Sequence, residues 1–260
     1  MIVQHLGDEV RLIFQHDHAL HCGELAAAWG APPFQAVPMP AVTAARLHDA
    51  GWQPWDAAPQ IDSATGLPYR FYQMPVGAHL AIFRRGIAIA AEAGDLPGML
   101  VSLHAEGLYN GRFGLVPGIG RKELASEEDE RAVIQFLGEQ ARLRDRLRER
   151  LGISAIDPEL WRLYRLLQVW DILSLSSLAA APRPQQLPPA PAEDGERDIM
   201  LYPLAPGLFS LAPWPFRGDS LETCVPARRV PAAQYTAETI AAALERAMKE
   251  TLLLRYIPGA

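Results

Sequence analysis

The sequence predicts a mainly α-helical protein: a helical bundle with a small β appendage formed by the N-terminal and C-terminal segments. Apolar residues recur at helical spacing over most of the first 180 residues, which favours packed helices. One segment, residues 158–178, is apolar nearly all round, and such a helix belongs at the centre of a bundle. Strand-like alternation is confined to the two ends of the chain. The sequence shows no βαβ alternation, which argues against a nucleotide-dependent α/β enzyme.

The elements follow from local signals. Two short strands are predicted at residues 2–5 and 10–14, where apolar and polar residues alternate. Ala and Leu then favour a first helix, which Gly30 and the prolines after it end. A later helix has Asp95 as its cap and Pro97 in its first turn. The predicted helices span residues 18–29, 40–49, 77–93, 96–109, 158–178 and a long segment from residue 126, while residues 57–74, rich in turn residues, form a loop.

The chain divides into three predicted parts. Residues 1–180 form the helical domain together with its N-terminal strands. Residues 181–197 are rich in Pro and Ala, which predicts a linker or exposed loop. Residues 198–260 form a β appendage and a C-terminal helix, at residues 236–254, that pack on the helical body.

The composition is that of a globular protein, with 260 residues, 49% hydrophobic, 21% charged and a net charge of -6. This acidic balance does not favour nucleic acid as a partner. The apolar segment at residues 82–93 contains two arginines and is too short to cross a bilayer, and residues 1–5 do not have the features of a signal peptide. We therefore expect a cytoplasmic protein with no membrane partner. Cys22 and Cys224 could form at most one disulfide, and the oligomeric state is left open.

The most informative single residue is Asp171, which lies inside the most apolar predicted helix. An unpaired carboxylate there would cost several kcal/mol, so something must compensate its charge. One interpretation is an ion pair with an arginine, such as Arg165 or one on another helix. The other is a bound metal ion.

Histidines accompany carboxylates near the ends of predicted helices. His48 and Asp49 end a short apolar helix, and because adjacent helical residues lie about 100° apart, both side chains can reach one ion. Each histidine alone is explained by a hydrogen bond to the backbone or to an Asp. Together, neutral imidazoles and carboxylates on helices that pack against one another indicate a metal site with N and O ligands. The other histidines in this set are His16, His18, His21 and His104.

This order of residues resembles that of the HD-domain metal-dependent phosphohydrolases: His on a first helix, His-Asp ending a second, a further His on a middle helix and Asp on a late apolar helix. The segments that carry the resemblance are residues 18–26, 47–51, 104–106 and 170–174. It covers about residues 10–180 and implies an HD-domain-like helical bundle.

A closer resemblance, over most of the chain, is to a bacterial family of unknown function. It is carried by QHDHA at residues 15–19, HDAGW at residues 48–52 and LQVWD at residues 167–171, with WPF at residues 214–216. This family brings no substrate with it.

The HD-domain resemblance implies a divalent transition metal ion as cofactor. Mixed imidazole and carboxylate ligation suits Mn, Fe, Co or Zn, and the sequence does not choose among them. The resemblance also implies that water activated by the ion attacks the phosphorus of a small phosphorylated compound or nucleotide. Asp49 and His104 are then the catalytic residues, His104 either holding a second ion or contacting the substrate. The implied metal ligands are His18, His48, Asp49 and Asp171.

The chain departs from the pattern just after the glycine of the HD motif, where many HD phosphohydrolases have a basic residue and this chain has Trp52. The phosphate contact must then come from elsewhere. Trp52 and Asp56 belong to an aromatic and acidic loop that either lines a substrate pocket or fills the core. His16 is the alternative to His18 as the first ligand. The further candidate ligands or substrate contacts are His16, His21, Trp52, Asp56, Arg84, Arg85 and Arg112.

Two main classes of function remain, which turnover would separate. The first is a metal-dependent hydrolase, of the phosphomonoesterase or phosphodiesterase type. The second is a non-catalytic HD-like protein that binds a metal or a ligand for regulation. A di-iron oxidative enzyme on the same fold is a third interpretation. The glycine-containing loop at residues 118–122 fits neither a P-loop nor a Rossmann fingerprint.

Overall fold

The computed structural model describes residues 1–116, 122, 124–179 and 183–259. Most of the loop at residues 118–122 and the first two residues of the predicted linker, 181 and 182, therefore lie outside the described residues. Helices account for 50% of the chain and strands for 23%. The protein is thus a mixed α/β protein, and the prediction of a mainly α-helical fold with a small β appendage is wrong.

The helical segments lie close to the predicted positions. The helix at residues 158–178 has the predicted bounds. It begins there because Asp157 caps it, with a side chain that accepts from the main-chain N–H of Leu160. The α-helices are α1 (Gln15–Ala28), α2 (Met39–Leu47), α3 (Gln53–Ala57), α4 (Val76–Ala93), α5 (Asp95–Asn110), α6 (Glu127–Leu151), α7 (Pro158–Leu178) and α8 (Ala237–Arg246), with 3-10 turns at Ala50–Trp52 and Arg112–Gly114.

Among the described residues, seven strands form one sheet in the order β1-β2-β10-β11-β9-β8-β5, while β3 with β4 and β6 with β7 form two separate two-stranded sheets. The pairings of the seven-stranded sheet are antiparallel except for that of β11 with β9, which is parallel. Because β2 pairs with β10, one sheet joins the N-terminal and C-terminal segments of the chain. The strands are β1 (Ile2–Leu6), β2 (Glu9–Ile13), β3 (Ile61–Asp62), β4 (Leu67–Pro68), β5 (Gln185–Gln186), β6 (Ala190–Ala192), β7 (Gly195–Arg197), β8 (Met200–Ala205), β9 (Leu208–Ala212), β10 (Leu221–Pro231) and β11 (Met248–Pro258).

The largest error of element type concerns β11. The sequence predicts a helix over residues 236–254, whereas helix α8 ends at Arg246 and the chain continues as a long strand. Strand β11 pairs with β10 from Met248 to Tyr256, and it buries Leu254 and Tyr256 while leaving Leu253 exposed. A run of leucines favours a helix locally, but pairing across a whole neighbouring strand outweighs that preference.

Helix α7 lies in the helical layer, as an all-round apolar helix should. It packs against α1, α2 and α5, and its central residues are fully buried. These contacts bring the three helices that carry the candidate ligands together around Asp171. Within the ranges that the structure describes, no helix is both long enough and apolar enough to cross a membrane.

The glycine of the HD-x-G motif is explained by a close helix contact. A Cβ atom on Gly51 would lie 2.0 Å from the main-chain oxygen of Ile82 and 2.7 Å from the main-chain nitrogen of Gly86. Both of these residues belong to α4, so only glycine lets α4 pack directly on the turn after His48. The glycine therefore fixes the position of His48 and Asp49 relative to α4.

Candidate functional site

Side chains from α1, α2 and α7 converge at one buried point. His18 Nε2 lies 3.1 Å from Asp171 Oδ1, and His48 Nε2 lies 3.8 Å from the same oxygen. His48 Nε2 is also 3.6 Å from Asp49 Oδ2. All four side chains are at least 94% buried. The structure thus brings together the four residues that the sequence predicts as metal ligands.

The ring of His48 is oriented by a hydrogen bond behind it. His48 Nδ1 lies 2.8 Å from the main-chain oxygen of Ala45, and because a carbonyl only accepts, Nδ1 carries the proton. Nε2 then has its lone pair directed away from Ala45. It is buried without a hydrogen-bond partner among the described residues. An orphaned imidazole nitrogen beside two carboxylates is typical of a metal ligand oriented by its second ring nitrogen.

Asp49 is held by two donors. Gln15 Nε2 donates to Asp49 Oδ2 at 3.1 Å, and Trp52 Nε1 donates to Asp49 Oδ1 at 3.1 Å. Each oxygen keeps further acceptor capacity, because a carboxylate offers about four lone-pair directions. The two bonds fix the orientation of Asp49 beside His48.

The ring of His18 belongs to a chain of hydrogen bonds that runs away from the cluster. His18 Nδ1 lies 2.7 Å from Ser174 Oγ, which lies 2.8 Å from His21 Nδ1, and His21 Nε2 lies 3.4 Å from the Tyr256 hydroxyl. Burial lowers the pKa of His21 to about 3, so His21 is neutral. In the metal-free protein His18 Nε2 donates to Asp171 Oδ1, so Ser174 donates to His18 Nδ1 and accepts from His21 Nδ1. A cation at His18 Nε2 would require the reverse, with His18 Nδ1 donating to Ser174 and Ser174 donating to His21.

We expect Ser174→Ala to weaken metal binding by about 10- to 100-fold, the usual effect of removing a group that orients a ligand. The measurement is a competition titration against a chromophoric chelator. Ser177→Ala is the matched control, because Ser177 lies in the same helix and donates to the main-chain oxygen of Leu173. Equal metal affinity in the two variants would show that Ser174 does not orient His18.

Asp171 has an arginine partner as well as the two histidines. Arg112 Nη2 lies 3.3 Å from Asp171 Oδ2. Burial alone would raise the pKa of Asp171, but the His18 hydrogen bond and then the charge of Arg112 hold that pKa far below its ordinary value, so the carboxylate stays ionised. The sequence named Arg165 as the example of an ion-pair partner for Asp171, but Arg165 pairs with Glu196 instead.

His104 lies beside Arg112 on the wall of the cluster. His104 Nδ1 accepts from Arg112 Nη1 at 3.3 Å and from Gln168 Nε2 at 3.4 Å, and Gln168 in turn accepts from Arg112. Burial, followed by the positive charge of Arg112, lowers the pKa of His104 well below its usual value. His104 is therefore neutral, with its proton on Nε2.

The backbone at Arg112 is unusual. Arg112 and Phe113 both have φ of 56°, a left-handed conformation that side chains other than glycine seldom adopt. Such strain persists where the surroundings impose it, and it clusters at functional sites. Here the turn directs the guanidinium of Arg112 into the interior, where its Nε has no hydrogen-bond partner among the described residues.

Three separations between donor atoms of the cluster suit ligation of a transition metal ion. Two ligand atoms about 2.1 Å from one ion lie about 3.0 Å apart at a right angle and about 4.2 Å apart when opposite each other. The measured separations of 3.1, 3.6 and 3.8 Å fall between these limits. Among the described residues two overlapping groups have ligand atoms within 4.8 Å of one another. One group is His18, Cys22 and His48, and the other is His48, Asp49 and His104; Asp171 belongs to neither.

A cavity of about 520 Å³ opens beside the cluster, within the usual size range for a small-molecule site. One side carries Asp49, His104 and Asp171. Two basic side chains, Arg112 and Lys122, also line it. Its other lining residues are Gln15, Trp52, Phe71, Tyr72, His79, Phe83, Leu108, Ile172 and Leu175.

The remaining candidates lie outside the cluster. His16 Nε2 contacts Gln53, so of the two alternatives, His16 and His18, it is His18 that contacts Asp171. Arg84 pairs with Glu139 at the surface, and Arg85 donates to the main-chain oxygen of Gly51. Of the three arginine candidates for the phosphate contact, Arg112 is the one that reaches the cavity.

Sequence reasoning missed several polar residues of the site. Gln15, Ser174 and Gln168 contact the candidate ligands or Arg112, and a buried polar side chain inside an apolar helix is the signal that could have found the last two. His79, near the start of α4, lines the cavity and hydrogen-bonds the Tyr109 hydroxyl at 2.5 Å. Burial lowers the pKa of His79 to about 3. An isolated histidine in the apolar α4 sequence was the available signal.

Asp56 gives a pH-dependent prediction. Burial raises the pKa of Asp56 to about 7, even though the N-terminal ammonium and the main-chain N–H of His16 counteract it. A raised pKa in the folded state contributes stability that is complete below the unfolded value of 3.8 and is lost as the pH rises to about 7. Between about pH 5 and pH 8 the wild-type protein should therefore lose about 2 to 3 kcal/mol relative to Asp56→Asn.

The measurement is the unfolding free energy in urea of both proteins at the two pH values. Asn does not titrate, so the difference between the proteins isolates Asp56. A difference that stays constant with pH would contradict the prediction.

Fold and site together define an α/β protein with a buried histidine–carboxylate cluster between three helices, facing a cavity that carries two basic side chains. The chain belongs to a family described as a protein of unknown function (DUF3891), whose model matches residues 1–232. The predicted resemblance to a family of unknown function is confirmed, whereas the comparisons give no evidence of HD-domain membership. No curated protein and no solved structure matches the chain.

Proposed function

We propose that this protein is a metal-dependent phosphohydrolase that acts on a small phosphorylated compound. The observation that carries the proposal is the orphaned His48 Nε2, buried 3.6 Å from Asp49 and 3.8 Å from Asp171. A buried nitrogen lone pair between two carboxylates has little use without a cation. The order of these residues along the chain, which resembles that of HD-domain hydrolases, supports the same interpretation, and a cytoplasmic location is part of the proposal.

In this proposal His18, His48, Asp49 and Asp171 hold one divalent transition metal ion. When bound, such an ion supplies Lewis acidity and lowers the pKa of water enough to provide a nucleophile near neutral pH. The two carboxylates offset the charge of the ion, and the neutral imidazoles supply lone pairs. Mn, Fe, Co and Zn all suit this donor set.

The surrounding residues bind and orient the phosphoryl group. Arg112 presents its guanidinium to the cavity and can donate to phosphoryl oxygens, where it stabilises the negative charge that develops during attack. His104 accepts at Nδ1 from Arg112 and Gln168, which leaves its Nε2–H as a donor. This arrangement supports a role for His104 in contacting the substrate rather than in holding a second ion.

The proposed reaction is hydrolysis of a phosphate ester. An oxygen–phosphorus bond forms from water, and the bond from phosphorus to the ester oxygen breaks. The departing oxygen takes up one proton of the attacking water, so the products are an alcohol and inorganic phosphate. His104, with its proton on Nε2, is the candidate donor of a hydrogen bond to the departing oxygen.

The test has two parts. Elemental analysis of the purified protein should find about one equivalent of transition metal per chain. The same preparation should hydrolyse simple phosphate esters such as 4-nitrophenyl phosphate, and treatment with a chelator should abolish that activity. Metal without turnover would favour a non-catalytic metal-binding protein, and a protein that neither carries nor binds transition metal would overturn the proposal.

A further inference from the structure

The charged groups of the cavity restrict the substrate beyond the phosphate ester proposed above. Among the described residues, two acidic side chains, Asp49 and Asp171, and two basic ones, Arg112 and Lys122, line the cavity, so these side-chain charges cancel. With the divalent ion of the proposed function, the site carries two positive charges in excess. A phosphomonoester has a charge close to -2 near neutral pH, whereas a phosphodiester has a charge of -1.

The two basic groups have different contacts. Arg112 is next to the cluster, 3.3 Å from Asp171. Lys122 is half-buried, and its ammonium donates to the main-chain oxygen of Tyr72 at 3.1 Å. Lys122 forms no ion pair among the described residues, although the charge of Asp129 partly counteracts the lowering of the Lys122 pKa by burial. The side chain lines the cavity, where it can meet an anionic ligand.

Much of the remaining wall is apolar: Phe71, Phe83, Leu108, Ile172 and Leu175 line the cavity. Gln15 Nε2 and Trp52 Nε1 both donate to Asp49, while Gln15 Oε1 is buried without a hydrogen-bond partner among the described residues. Most hydroxyl groups of a polyol would therefore lie against apolar side chains, which is unfavourable, whereas an aromatic or aliphatic group would bury apolar surface.

We infer that the substrate is a phosphomonoester dianion whose organic part is apolar or aromatic, rather than a phosphodiester or the phosphate of a polyol. This inference rests on the proposed function for the identity of the site. It assigns Arg112 and Lys122 to the phosphoryl group and the apolar wall to the departing alcohol.

The test is binding of phosphonates, which cannot be hydrolysed. Calorimetry at about pH 8 with Mn²⁺-saturated protein measures the binding of phenylphosphonate. One comparison is with its monomethyl ester, which has one charge fewer. The other is with 2,3-dihydroxypropylphosphonate, which has hydroxyl groups in place of the ring. We expect phenylphosphonate to bind at least about tenfold more tightly than either, the effect of one charge-assisted hydrogen bond or of a buried ring. If phenylphosphonate binds no more tightly than the monomethyl ester, or no more tightly than 2,3-dihydroxypropylphosphonate, the inference is wrong.

Lys122→Met is the matched variant. We expect it to weaken phenylphosphonate binding about tenfold and to affect the monomethyl ester much less. Lys249→Met is the control, since Lys249 is exposed on β11 and the change in net charge is the same. If the two variants bind phenylphosphonate equally well, Lys122 has no role in recognition.

Hydrolysis of phenyl phosphate and of bis(4-nitrophenyl) phosphate is measured separately. If neither is hydrolysed but the phosphonate preference holds, the proposed function fails while the ligand class stands. If hydrolysis occurs without any preference for the aromatic monoester in binding, the inference fails while the proposed function stands.

Discussion

Asp49→Ala should lower the metal content of the purified protein from about one equivalent per chain to less than about a tenth, and should lower phosphate-ester hydrolysis at least about 1,000-fold. Asp49 supplies one of the two carboxylates that offset the charge of the ion, and its Oδ2 lies 3.6 Å from His48 Nε2. Without it, the remaining donors at the cluster carry a single negative charge, which Arg112 already offsets. Metal content is measured by elemental analysis and activity with 4-nitrophenyl phosphate.

Two further variants make this result interpretable. Asp49→Ala also leaves the donors of Gln15 and Trp52 without their acceptor, which costs about 1 to 3 kcal/mol for each buried group. Asp49→Asn retains the volume and one acceptor oxygen, so it separates loss of metal from loss of fold. Asp17→Ala is the control: its carboxylate belongs to the same helical layer but pairs with Arg228 of the sheet. Asp49 variants that are folded and retain metal and activity like Asp17→Ala would refute the proposed centre.

The sequence grouped the candidate ligands through their order along the chain, which resembles that of HD-domain proteins, and an electrostatic argument supported this grouping. A carboxylate at position 171 inside an all-round apolar helix required a compensating group, and the histidines of α1 and α2 were available on helices that had to pack against α7. The structure places His18 and His48 within 4 Å of Asp171. The sequence left open which of His16 and His18 is the ligand, and only the packing of α1 shows that His18 is the one that faces the cluster.

The arginine partner could not be predicted in the same way. Arg165 is near Asp171 in the sequence, but its side chain reaches Glu196 instead. Arg112 is 59 residues from Asp171 in the chain and enters the site from a left-handed turn after α5. No periodic pattern in the sequence predicts this turn or the direction in which it points Arg112. Only the tertiary structure therefore identifies Arg112 as the partner of Asp171.

The β structure was underestimated for a related reason. Strand β11 contains several residues with good helix propensity, such as Leu252, Leu253 and Leu254, and its formation depends on pairing with β10 and β9. Strands of this kind are specified by partners far along the chain. Most helices, by contrast, have local periodicity, and their predicted bounds were close to the observed ones except for the last helix. Side-chain caps are present at α6, α7 and α8, whereas Asp95, the predicted cap of α5, is instead its first residue and makes no capping hydrogen bond.

Asp171→Asn should destabilise the metal-free protein by about 3 to 5 kcal/mol, the usual cost of removing one member of a buried ion pair. Asparagine has nearly the same volume, so no cavity forms, but the guanidinium of Arg112 remains buried without a counter-charge, and His18 loses a charged acceptor 3.1 Å away. The measurement is urea unfolding in the presence of a chelator, which removes any contribution of bound metal. Glu139→Gln, which breaks the exposed pair with Arg84, should cost less than about 1 kcal/mol.

A double-mutant cycle separates the pair from its surroundings. Once Arg112 is replaced by methionine, Asp171→Asn no longer leaves a buried positive charge behind, so its cost should fall by about 1 to 3 kcal/mol, the coupling expected for residues in direct contact. A change that is additive with Arg112→Met would mean that Arg112 does not stabilise the ionised Asp171. The ionised carboxylate would then depend on the histidines and on a bound cation alone. Removal of the metal should in that case take away most of the protein's stability, because the charge of Asp171 would be left uncompensated.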